Sequence, residues 1–64
     1  MTTDGESRGV LTVLEAARFL RIGKRTLQEL TRRGEIQCIR IGRRVLYLVR
    51  VLEEYLERML QPGV

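Results

Sequence analysis

The chain has 64 residues, with 12 Lys+Arg against 8 Asp+Glu, giving a formal net charge of +4. That length admits one domain with a small core, and the 44% hydrophobic content is that of a folded chain. There is no histidine and a single cysteine, Cys38. An internal disulfide, a His-containing zinc finger and a Ser-His-Asp triad are therefore excluded within one chain. No enzyme is expected: no catalytic residue, no metal and no cofactor. No apolar run approaches the roughly 18 residues of a membrane span, and no signal-peptide pattern opens the chain. A lone thiol suits a reducing cytoplasm, so the expectation is a cytoplasmic protein with no membrane partner.

Residues 1–10 read as a flexible N-terminal tail, since positions 2–9 carry two glycines and nothing apolar. The domain is expected over 11–60, with 61–64 as a C-terminal tail. Thr12 and Glu15 have the spacing of a capping box, with Leu11 and Ala16 at the staple positions beside it. Val13, Ala16, Ala17 and Leu20 follow the i, i+3, i+4, i+7 pattern, which predicts a helix over 13–20. Ile22-Gly23 breaks that pattern, and Lys24 to Arg33 resumes it with Leu27 and Leu30 as inward anchors. Gly34 then stands at a helix C′ position. Two short helices joined by about three residues make a helix-turn-helix.

Cys38 to Ile41 and Val45 to Val49 are short runs rich in β-branched residues, linked by Gly42-Arg43-Arg44, and predict a β-hairpin. Ile39 and Ile41 alternate with Arg40, giving one apolar and one basic strand face. The second run is apolar on both faces and is expected between the helices and the first strand. Cys38, among apolar neighbours, is expected in the core. Arg50 to Leu60 carries Leu52, Leu56 and Met59 at helical spacing with Glu53, Glu54 and Glu57 opposite, and Pro62-Gly63 ends it. The order is helix, helix, hairpin, helix: mainly α with a small β-hairpin.

Charge is concentrated in the middle of the chain. Between Arg18 and Arg50 lie ten basic residues opposed only by Glu29 and Glu35, a net +8, while the remainder carries −4. A basic centre with acidic ends is the electrostatic footprint expected for a polyanion. At roughly 100° per residue, Leu27 and Leu30 point one way along the second helix, and Arg25, Gln28, Glu29 and Arg32 point the other. Lys24 and Arg33 fall on the margins of that outward face. Arg donates bidentately to guanine, Gln pairs with adenine, and flanking cations neutralise phosphates, so this face suits a DNA major groove. Glu29 could accept from a cytosine amino group, but pairing with Arg25 or Arg33 at i±4 is the favoured reading. Arg43 and Arg44 at the hairpin tip, with Arg40 extending the line, suit a minor groove.

In this order and spacing, Leu11-Thr12-Val13-Leu14-Glu15-Ala16-Ala17, Leu20, Arg25-Thr26-Leu27, Arg32-Arg33-Gly34-Glu35-Ile36, Arg40-Ile41-Gly42-Arg43-Arg44 and Leu52-Glu53-Glu54-Tyr55-Leu56 form one pattern. Leu11 to Arg58 thereby resembles the excisionase-type helix-turn-helix family, a MerR-like winged helix DNA-binding domain. The resemblance implies a winged helix-turn-helix: the helix-turn-helix, a two-stranded wing over 39–48 and a C-terminal helix. It places Lys24 to Arg33 in the major groove and Arg43 and Arg44 near the minor groove. Three positions depart from such sequences: Arg21 stands in place of glycine, Gly23 in place of a capping serine, and Gln37 in place of proline before the wing.

A single module of this size covers only roughly 600–1,000 Å² on DNA, so specificity calls for several copies side by side. The resemblance implies an excisionase, or recombination directionality factor. Such a protein binds repeated sites on double-stranded DNA with cooperative self-association, bends them and assists an integrase or recombinase. The alternatives are a small transcriptional regulator and, from another class, a protein-interaction adaptor docking through Val51, Tyr55 and Leu60. When bound to DNA the protein would be nucleoid-associated.

Overall fold

A reciprocal pair of hydrogen bonds starts the first helix. Glu15 N donates to Thr12 Oγ1 at 3.2 Å, and Thr12 N donates to Glu15 Oε1 at 2.9 Å. This is the capping box that the sequence predicts, and it opens helix α1, Val13–Leu20. The computed structural model describes residues 9–63. The expected tails, as far as they comprise residues 1–8 and Val64, lie outside the described residues. The remaining elements are β1 (Val10–Thr12), α2 (Lys24–Arg32), β2 (Ile39–Ile41), β3 (Arg44–Leu48) and α3 (Val49–Met59). Together they are three helices and one antiparallel sheet of three strands in the order β1-β3-β2. This is a winged helix-turn-helix. Among the described residues no helix is long and apolar enough to cross a membrane.

Both helices of the helix-turn-helix end in the same device. After α2, Glu35 N donates to Leu30 O at 2.9 Å and Gly34 N to Thr31 O at 3.1 Å, with Gly34 at φ 80°. After α1, Ile22 N donates to Ala17 O at 3.0 Å and Arg21 N to Arg18 O at 3.1 Å, with Arg21 at φ 60°, ψ 42°. Each is a Schellman termination, which needs one residue in the left-handed region. Gly34 meets that need without a Cβ penalty. Arg21 is the only non-glycine residue with positive φ among the described residues. The turn therefore keeps its left-handed bend although glycine is missing from it, at a backbone cost of about 1–2 kcal/mol. Ile22 offsets part of that cost by packing against the core.

The core is formed by Leu11, Ala16, Ala17, Leu20, Leu27, Ile36, Tyr47 and Leu52, with no polar or charged residue buried among the described ones. Ala16 and Ala17 leave room for α2 and α3 to approach α1, while Leu27 and Leu52, both 0% exposed, fill the space from either side. Arg58 Nη2 donates to Glu35 O at 3.0 Å, which ties α3 to the loop after α2, and Arg58 Cζ lies 5.6 Å from the centroid of the Tyr55 ring on the same helix.

The sheet corrects the sequence reading in two places and completes it in a third. Val10–Thr12, assigned partly to the tail, is a strand that pairs with β3 through Val10↔Leu48, Leu11↔Tyr47 and Thr12↔Leu46. β3 therefore lies between two strands, and not between the helices and β2. Three residues are too few to show alternation, and Thr12 also serves as the helix cap, so the strand leaves no separate trace. Second, Ile41 pairs directly with Arg44, so the hairpin turn is the two residues Gly42-Arg43. Gly42 at φ 61° leads it, the pattern of a type II′ turn. Third, the apolar face of β2 points away from the core. Paired residues share a sheet face, so Arg40 lies with Val45 on the Tyr47 side, and Ile39 and Ile41 lie with Leu46 and Arg44 on the other. Ile41 is 60% exposed. Cys38 is half-buried at the margin of the core and not inside it.

Replacing Arg21 with glycine relieves the left-handed backbone. The variant is expected to be about 1 kcal/mol more stable, with Tm raised by about 4–8 °C; urea and thermal unfolding measure it.

Candidate nucleic-acid interface

The sequence of α2 alternates in threes and fours between apolar and charged residues, and the helix turns accordingly. Leu27 is buried and Leu30 half-buried, while Lys24, Arg25, Gln28, Arg32 and Arg33 are all exposed. Arg25, Gln28, Glu29 and Arg32 line one shallow depression on the outward side, so the expected face exists as a contiguous surface. Among the described residues no side chain caps Gly23, which leaves the first-turn amides and the positive end of the helix open beside Lys24 and Arg25.

The ion pairs differ from the expected ones. Glu29 binds Arg32 Nη2, one turn onward at i+3, and neither Arg25 nor Arg33. Arg33 follows the last helical residue and turns instead to Glu35, with Nη2 to Oε2 at 3.2 Å. The Schellman turn at Gly34 brings Glu35 within its reach. Among the described residues Lys24, Arg25, Arg40, Arg43 and Arg44 form no ion pair.

On the hairpin, Arg43 sits in the turn, while Arg40 and Arg44 leave the sheet on opposite faces. The line of three cations read from the sequence is thus split. Arg40 shares the face that carries Tyr47 and the helices; Arg44 shares the outer face with Ile41.

Two residues that sequence reasoning passed over connect the helix to the wing. Tyr47 on β3 is 1% exposed, and its hydroxyl lies 2.7 Å from Thr31 Oγ1 on α2. Thr31 Oγ1 donates to Leu27 O at 2.9 Å, so the Tyr47 hydroxyl is the donor to Thr31. A buried phenol needs such a partner. The signal was available: Thr31 falls on the inward side of the helical wheel beside Leu27, where a hydroxyl requires an explanation.

Tyr47→Phe removes this link and keeps the ring. A loss of about 1 kcal/mol in unfolding free energy is expected. The amide resonances of α2 should shift more than those of α3, which a two-dimensional NMR spectrum checks.

No curated protein and no solved structure matches the chain. A family model described as a helix-turn-helix domain matches residues 10–59, from the start of β1 to the end of α3. The fold, its two Schellman turns and the match over most of the sequence agree: the chain belongs to the helix-turn-helix domain family.

Proposed function

We propose that the domain binds double-stranded DNA in a sequence-specific way, without catalysis, by placing α2 in the major groove and the hairpin beside it. The observation that carries this reading is the basic outward face of α2, held by the Thr31–Tyr47 link to the strand that bears the wing. Arg25, Gln28 and Arg32 read base edges. Lys24 and Arg33 contact phosphates, and the open N-terminal amides of α2 assist them. In the wing, Arg43 at the turn and Arg40 on the helix-facing side reach the adjacent groove, with Arg44 contacting the backbone from the outer face.

The finer role is architectural. One module of this size covers little DNA, so copies bound at repeated sites, associating with one another and bending the duplex, fit an excisionase-like factor that works alongside an integrase. The resemblance of the sequence motifs to that class supports this role over transcriptional control.

Salt dependence tests the DNA reading. With about six phosphate contacts, affinity for a duplex falls on the order of 10³-fold between 50 and 200 mM salt. Of the residues expected for docking to a protein, Val51 and Tyr55 pack against the core and Leu60 is exposed beside Leu56 and Met59; docking there would leave binding nearly independent of salt. Arg32→Ala is expected to relax base preference at one position by about 1–3 kcal/mol. Arg44→Ala should weaken all duplexes alike and reduce the salt slope by about one. Binding by both variants equal to that of the parent would refute the contact assignment. Electrophoresis of circularly permuted duplexes measures the bend, and an unbent complex would contradict the architectural role.

A further inference from the structure

Glu29 is the only carboxylate on α2, and it stands on the outward face among Arg25, Gln28 and Arg32. An exposed intrahelical ion pair adds little to stability. A carboxylate on a surface that captures a polyanion also weakens the capture. Neither packing nor electrostatic attraction accounts for an acid at this place.

Its geometry does. Three cations lie within helical reach of Glu29, namely Arg25, Arg32 and Arg33, and it engages Arg32 alone. The Glu29 side chain is 45% exposed and that of Arg32 72%, so the pair lies open at the surface. Only Nη2 of Arg32 is engaged, which leaves donors of the fork free. A guanidinium held in this way has lost much of its attraction for a phosphate in any register, yet its free N–H groups can still donate to guanine O6 and N7. Selectivity then arises partly by rejecting the wrong contact, as well as by making the right one.

We propose that Glu29 is a positioning residue that sets the base selectivity of Arg32: it orients the guanidinium and lowers its affinity for phosphate. This rests on the DNA-binding reading above. It assigns a role to a residue that makes no direct contact with a base.

The test uses the full chain and two duplexes: the preferred one, selected from a randomised library, and a scrambled one of equal length and composition. For Glu29→Gln, affinity for the scrambled duplex is expected to rise several-fold and its salt slope to steepen by about 0.9, one added phosphate contact. The ratio of preferred to scrambled binding should fall about tenfold, the scale of one bidentate base contact. Glu29→Ala should act in the same direction. In an Arg32→Ala background, Glu29→Gln should have no further effect on the ratio. A ratio unchanged by Glu29→Gln overturns the proposal. So does an effect that persists without Arg32, because Glu29 would then act on the DNA itself. A parent chain that does not distinguish the two duplexes overturns the DNA-binding reading together with this inference, whereas a discriminating parent with an unaltered Glu29→Gln variant overturns only the inference.

Discussion

The Tyr47 hydroxyl is the constraint on which the arrangement turns. It belongs to the central strand of the sheet, at the register point opposite Leu11, and its ring fills the core between sheet and helices. A phenol buried to this extent must satisfy its O–H within the protein, and Thr31 on α2 is what it finds. The helices and the wing are both referenced to this strand. β1 on one side runs directly into the cap of α1 through Thr12. β2 on the other side forms the wing. Helix α2 is tied to the central strand by the hydrogen bond between Thr31 and Tyr47, and to the core by the packing of Leu27 and Leu30. In a domain of this size, where total stability is small, such a link decides orientation more than it adds energy.

Charge is organised around that scaffold in two groups. Lys24, Arg25, Arg40, Arg43 and Arg44 are free cations among the described residues, whereas Arg32 and Arg33 each have a carboxylate partner. Free cations on an exposed surface supply salt-dependent, sequence-independent attraction. Paired ones contribute less to attraction and more to geometry. The acidic residues Glu53, Glu54 and Glu57 are kept on α3, where Arg50 and Arg58 lie beside them.

The helical part of the fold was legible because it is encoded locally. The capping box at Thr12 and Glu15, the apolar spacing through Leu20 and Leu27, and Gly34 at the end of α2 each act within one or two turns of chain. What the sequence concealed depends on distant pairing. β1 is three residues long and shares Thr12 with the helix cap. The orientation of β2 depends on its register with β3, so alternation alone assigned Ile39 and Ile41 to a face without indicating that the face is the outer one. Arg21, standing where such sequences have glycine, keeps the turn all the same: two hydrogen bonds and the packing of Ile22 outweigh the strain of one left-handed residue. For the interface, the outward face of α2 was readable from the helical wheel, but the choice of Arg32 by Glu29 was not. That choice depends on Arg33 leaving the helix for Glu35 beyond the Schellman turn.

The central claim is that α2 and the wing meet DNA as one surface fixed through Tyr47. Titration of the isotope-labelled chain with its selected duplex, followed by amide NMR, tests this most directly. Resonances of Lys24, Arg25, Gln28 and Arg32 should move together with those of Arg40, Gly42 and Arg43 and saturate at one DNA concentration, while Glu53 and Glu57 stay in place. Shifts centred on α3, or separate saturation of helix and wing, would contradict it.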